Sequence, residues 1–141
     1  MLEKRGNVLD NLDTCDLLIV PSCSSVKDGV LDMDRGIMKD IGGIWEGLDG
    51  FFGERIARLC GNAGLFWYMR HSTLPIALLQ IKTEAKKIAD PTIIQQGLWS
   101  VKGLAEYHPD MSIYIIIPTS VITNQVRSYL DTIPDNVTRW Q

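Results

Sequence analysis

Two stretches of this chain join an apolar run to small hydroxyl-bearing residues and then to a helix start, a combination suited to holding an anion. In the first, Asp16-Leu17-Leu18-Ile19-Val20 runs into Pro21-Ser22-Cys23-Ser24-Ser25 and passes Gly29 on the way to Asp32-Met33-Asp34-Arg35-Gly36-Ile37. In the second, Ile113-Tyr114-Ile115-Ile116-Ile117 runs into Pro118-Thr119-Ser120 and then Asn124-Gln125-Val126. Backbone N–H groups at helix N-termini hold phosphates, and ligands of α/β sheets sit beyond the carboxyl ends of the strands. Two such ends in one chain suggest a phosphate-bearing ligand held between two loops.

Other chemistries fail on spacing. The arginine that a phosphatase loop places at a fixed distance after its cysteine would fall at position 29, which is Gly29, so Cys23 reads as a small loop residue. A helix N-terminus would still lend that thiol some thiolate character. Asp32-Met33-Asp34 resembles an acidic pair for Mg²⁺, but its place before a helix suits capping better. Gly29 to Gly36 lacks the Lys-Ser/Thr of a P-loop. His71 and His108 have no partners at ligand spacing, so no metal site and no cofactor are expected, and no Ser-His-Asp arrangement can be assigned.

The elements that must position these loops alternate along one domain spanning residues 1–141. Continuous apolar runs predict buried strands at Leu17 to Pro21, Ile76 to Ile81 and Ser112 to Pro118, with an aromatic strand at Leu65 to Met69. Short strands are expected at Arg5 to Val8, before a turn at Asp10 to Asp13, and at Val137 to Trp140. Asp32 and Asp34 are candidate caps for a helix through Ile37, Ile41 and Ile44 that Gly42-Gly43 breaks or ends. Trp45 to Cys60 has near-helical apolar spacing, and Gly61 to Gly64 reads as a turn. Asp90-Pro91 is the strongest helix start, with Ile94, Leu98, Val101 and Ala105 on one face, and Tyr107-His108-Pro109 stops it. A last helix runs from about Ile122 to Ile133. The fold class is α/β, a mixed sheet sandwiched between helices in three layers. The strands Leu17 to Val20 and Ile113 to Ile117 should lie together in its middle.

Composition narrows the function. With 141 residues, 45% hydrophobic and 22% charged, the chain can bury a full core. The net charge of −3 and scattered cations, densest at Lys82, Lys86 and Lys87, disfavour general nucleic-acid binding. No apolar run approaches the ~20 residues of a membrane span, and no secretory leader is read at the start. Three unpaired cysteines, Cys15, Cys23 and Cys60, fit a reducing, cytoplasmic compartment.

From Gly6 to Trp140 the order of elements resembles a macro domain, the module that binds ADP-ribose, and in pattern the branch containing DNA ADP-ribosyl glycohydrolase antitoxins. Gly6-Asn7-Val8-Leu9 is similar to the family's Gly-Asp-Ile/Leu segment, and Asp16 to Ser24 to its strand ending in Val-Asn-x-x-Asn. Leu79-Gln80-Ile81-Lys82-Thr83 resembles Asn-Phe-Pro-Thr, and Ile115 to Pro118 the strand before the second phosphate loop. The resemblance implies ADP-ribose or a related nucleotide as ligand. Asn7 and Val8 would lie near the base; Ser22, Cys23, Ser24, Gly29 and Gly36 would form the first loop, and Thr119, Ser120, Val121, Ile122 and Thr123 the second. Hydroxyls of Ser24, Ser25, Thr119, Ser120 and Thr123 could replace missing glycine-lined backbone.

The departures from the family are equally specific. Asn7 replaces the aspartate at the adenine, Pro21 and Ser24 replace the asparagines near the distal ribose, and Glu84 stands where the antitoxin branch has lysine. The second loop has no glycine. Binding without strong catalysis is therefore expected, with Gly29 and Gly36 giving the first loop more of the affinity. One alternative is an interaction protein with a protein partner, its cleft filled by Met33, Val121 and Ile122 and its surface around Trp45, Phe51 and Phe52. A weak glycohydrolase comes third. Small degenerate versions of enzyme folds suit accessory proteins of bacteria or their phages.

Overall fold

The computed structural model describes residues 1–23, 26–33, 36–44, 46–58, 66–70, 75–82 and 89–141. The described residues form twelve strands and α-helices: β1 (Leu2–Lys4), β2 (Leu17–Cys23), β3 (Val26–Lys27), β4 (Val30–Leu31), α1 (Gly36–Ile44), α2 (Leu48–Arg58), β5 (Phe66–Arg70), β6 (Pro75–Lys82), α3 (Pro91–Tyr107), β7 (Ile113–Ile116), α4 (Asn124–Leu130) and β8 (Val137–Trp140). Six strands form one sheet in the order β1-β8-β7-β2-β6-β5. All neighbours are parallel except β5 and β6.

The unbroken apolar character of β2 follows from burial on both faces. Leu18 and Val20 join a core with Ile76, Leu78, Tyr114 and Trp140 under α1 and α2. Leu17 and Ile19 join a second core with Ala77, Leu79, Ile113 and Ile115 under α3 and α4. Burial of each such side chain contributes about 1.5–3 kcal/mol. The expected three-layer sandwich is present, with β2 and β7 paired at its centre.

Local chemistry explains α3. The Asp90 carboxylate accepts the Thr92 N–H at 2.9 Å, Pro91 opens the first turn, and the His108 N–H closes the last turn on Leu104 O. Ile94, Leu98, Val101 and Ala105 face the sheet as the spacing predicts. Gly97 lets the helix approach β6, since a Cβ there would stand 2.4 Å from Leu79 Cδ1.

Several boundaries differ from the sequence expectation. The first strand is Leu2–Lys4, not Arg5 to Val8: Gly6 turns the chain at φ 135°, and Asn7 caps a 3-10 segment over Val8–Thr14 that includes the expected turn. Asp32 lies before α1, whose first residue is Gly36, and Asp34 falls outside the described residues. Gly42 and Gly43 do not end α1, which continues to Ile44. The last helix is shorter than expected, beginning at Asn124 after a Thr123 cap and ending at Leu130. Trp45, Cys60, Gly61 to Leu65 and His71 also lie outside the described residues.

The hairpin β3–β4 was not expected. Asp28 (φ 54°) and Gly29 (φ 77°) join its strands, and two central residues with positive φ form the turn that Asp-Gly favours. Gly53 of α2 packs against that turn; a Cβ on it would stand 2.2 Å from Gly29 O.

The two helical glycines of α3 should respond in opposite directions to alanine. Gly97→Ala overpacks the buried Leu79 contact and should cost about 1–3 kcal/mol. Gly103→Ala meets nothing within 4 Å and should stabilise the protein by about 0.5–1 kcal/mol. Urea unfolding of both variants checks the contrast.

Candidate functional site

Beyond the carboxyl end of β2 the chain moves to the face covered by α1 and α2, whereas beyond β7 it moves to the face covered by α4. Neighbouring parallel strands whose connections leave to opposite faces open a crevice at their carboxyl ends. Here β2 pairs with β7 only from Leu17↔Ile113 to Ile19↔Ile115, but stays beside β6 as far as Cys23↔Lys82. Pro21, which has no N–H to give, sits beyond the last β2–β7 pair. The two loops singled out in the sequence therefore leave neighbouring strands toward opposite faces, the place where open α/β sheets bind ligands.

The first loop is built differently from the sequence expectation. Ser22 is buried within β2, and Cys23 ends the strand after a shift in register. Gly29 is not in a direct approach to a helix N-terminus; it is exposed in the turn of the hairpin held against α2. Gly36, at φ 58°, opens α1 and is exposed. Ser24 and Ser25 fall outside the described residues, as do Thr83, Glu84, Lys86 and Lys87.

Asn7 is exposed after β1, and its side-chain oxygen accepts the Leu9 N–H at 3.0 Å. Val8 turns its side chain into the first core, which leaves its backbone as the group a ligand could meet.

The second loop holds its shape without glycine. The N–H groups of Val121 and Ile122 donate to Pro118 O and Thr119 O, each at 3.1 Å, in a short 3-10 turn. Thr123 accepts the Val126 N–H at 3.2 Å as the cap of α4. Val121 and Ile122 lean on the core beneath α4, and Met33 is buried in the opposite core. Thr119 and Ser120 are exposed.

Arg139 on β8 anchors this loop. It is 1% exposed. Its Nε and Nη2 donate to Ile117 O at 3.2 and 2.9 Å, Nη2 donates to Thr119 Oγ1 at 3.1 Å, and Nη1 reaches Glu3 Oε1 at 3.5 Å. Arg127 of α4 donates to the same Glu3 oxygen at 2.7 Å. Burial pushes the Arg139 guanidinium below its usual value, and Glu3 pulls it back. Sequence reasoning passed over all three residues. The available signal was an arginine sharing a strand face with the apolar Val137, because charged residues on core-facing positions are rare unless paired.

Hollows lined by described residues are found away from these strand ends. One of about 560 Å³ includes Asp16, Pro75 and Tyr107–Met111, at the amino ends of β2 and β6. Another of about 250 Å³ lies between α3 and α4 beside Trp99 and Tyr129. Among the described residues no cluster of His, Cys, Asp or Glu could hold a metal ion, and no helix is long and apolar enough to cross a membrane.

No family model matches the sequence, and no curated protein matches it. Solved structures do match across 99% of the chain. They include the macrodomain of Thermus aquaticus DarG (14% identity, TM-score 0.71, 95% of that chain) and the macrodomain of Mycobacterium tuberculosis DarG (12% identity, TM-score 0.74, 95% of that chain). Thermosipho africanus DarTG in complex with ADP-ribose matches at 12% identity and TM-score 0.76, with 41% of that chain covered. The chain has the macrodomain fold.

The ion pairs at Glu3 make a pH prediction. The hydrogen bond from Arg127 lowers the Glu3 carboxyl below its usual value against opposing desolvation, and the charges of Arg127 and Arg139 add to the lowering. A lowered folded-state pKa contributes stability above the unfolded value of about 4.3, lost as pH falls through the folded value. Glu3→Gln should therefore lower the melting temperature at neutral pH and flatten its fall into the acid range. Melting curves across that range read both effects.

Proposed function

We propose that this protein is a divergent macrodomain-type module that binds ADP-ribose or a related nucleotide across the carboxyl ends of β2 and β7. The observation that supports the reading is that these adjacent strands send their connections to opposite faces, in a fold shared with a protein solved in complex with ADP-ribose. Phosphates would lie between the Ser22–Cys23 strand end with Gly36 on one side and Thr119, Ser120 and Thr123 on the other. The base would lie toward Asn7 and the Val8 backbone. Gly29 would contribute by shaping the hairpin that follows β2. The inward hydrogen bonds of Val121 and Ile122 give those residues a shaping role, and the loop's ligand donors would come from Thr119 and Ser120.

The packing of Val121, Ile122 and Met33 against the cores counts against a cleft plugged by these side chains. Phe52, proposed for a partner surface, is also a core residue, while Phe51 is exposed beside it. A binding module without strong hydrolysis agrees with the missing distal-ribose asparagines, since Pro21 and Ser24 stand in their places.

Calorimetric titration tests the reading. Saturable heat with ADP-ribose, stronger than with adenosine, is the expected result. Absence of heat with ADP-ribose, ADP and AMP would favour a partner-binding role. Incubation with ADP-ribosylated DNA or protein should release ADP-ribose very weakly or not at all; release at the rate of an active macrodomain would overturn this part of the reading, and Lys82 or Glu84 would then be substituted first.

A further inference from the structure

We propose that Arg139 is a positioning residue that fixes the Thr119 hydroxyl as a donor to an anionic group of the ligand, doing for this glycine-free loop what exposed backbone N–H groups would otherwise do. The inference rests on the nucleotide-binding reading above and names the part of the ligand that this loop selects, a phosphoryl oxygen. A guanidinium has donors and no acceptor. Where Arg139 Nη2 lies 3.1 Å from Thr119 Oγ1, the hydroxyl oxygen must accept, and its single hydrogen must point away from the guanidinium. Thr119 is exposed just beyond the carboxyl end of β7, so that hydrogen is available to a group lying against the exposed side of the loop.

Two further observations favour an anion. Arg139 and Arg127 share the single carboxylate of Glu3, so this cluster carries a net positive charge directly behind the loop. The guanidinium is buried, and a charge in a poorly polarisable interior polarises the hydroxyl it bonds, strengthening that hydroxyl as a donor. The two bonds to Ile117 O fix the backbone from which Thr119 projects. A purely structural arginine would make the first three contacts but would give no preference for charged over neutral ligands.

The test titrates the wild type, Thr119→Val, Thr119→Ser, Arg139→Lys and the Thr119→Val/Arg139→Lys double variant with ADP-ribose, inorganic pyrophosphate and adenosine. Melting curves verify folding. Thr119→Val and Arg139→Lys should each weaken ADP-ribose and pyrophosphate about tenfold. The double variant should lose no more than about tenfold in all, because both changes act through the same donor. Thr119→Ser, which keeps the hydroxyl, should restore binding to within about threefold. Adenosine should bind all of them as it binds the wild type, whether weakly or not at all. Normal pyrophosphate and ADP-ribose binding by Thr119→Val would overturn the proposal, as would equal losses for charged and neutral ligands. Should Arg139→Lys fail to fold, the exposed Thr119→Val and Thr119→Ser pair decides alone. Pyrophosphate binding without ADP-ribose binding in the wild type would sustain the donor and sink the ADP-ribose reading. Binding of neither would sink both.

Discussion

The buried guanidinium of Arg139 ties together parts of the fold that the sheet alone would leave loose. Burying an unpaired cation costs several kcal/mol, so the position is tolerable only with its partners in place. Those partners are Ile117 O, Thr119 Oγ1 and the Glu3 carboxylate, which lie on the exit from β7 and on β1. Arg127 adds α4 to the same carboxylate. Through one side chain on β8, the edge strand, the last helix and the second loop are held in register with one another. A loop anchored in this way needs no glycine to hold its path. Its apolar residues Val121 and Ile122 can pack inward while its hydroxyls stay outside.

The proposed crevice follows from sheet order. Two adjacent parallel strands, both buried on both faces, send their connections to opposite layers, and their pairing stops before their ends. The first side of the crevice carries an added hairpin, held to α2 by the close approach of Gly53 to Gly29. That contact gives Gly29 a structural role in holding the hairpin against α2. The aromatic contact between Tyr114 and Trp140, with ring centroids 5.3 Å apart, supports the sheet on the side of α1 and α2 near Gly6.

Much of this was legible from the residues. The runs at Leu17 to Val20 and Ile113 to Ile117 identified the two central strands, because unbroken apolar sequence fits only a sheet covered on both sides. Asp90-Pro91 marked the start of α3 because an acceptor and a proline satisfy opposite needs of the same helix end. Local turn chemistry was harder. Lys27-Asp28-Gly29-Val30 carries a hairpin signal, but Gly29 equally suits a ligand loop, and Gly6 with Asn7 diverts the chain where a strand is expected. The anchoring triad of Glu3, Arg127 and Arg139 spans nearly the whole sequence, and no local pattern links its members. The approach of Gly53 to the hairpin is likewise a tertiary fact, since a glycine in a helix reads only as a weak helix former. The similarity of the element order to macro domains captured the fold; the site residues depend on contacts that order does not encode.

Backbone amide shifts recorded during titration with ADP-ribose test this placement most directly. Binding at the crevice predicts shifts concentrated at Asn7 and Val8, at Ser22 and Cys23, and at Thr119 to Thr123, with smaller changes around Arg139. Shifts confined to the groove beside Trp99 and Tyr129, or to the hollow beside Tyr107 to Met111, would contradict it.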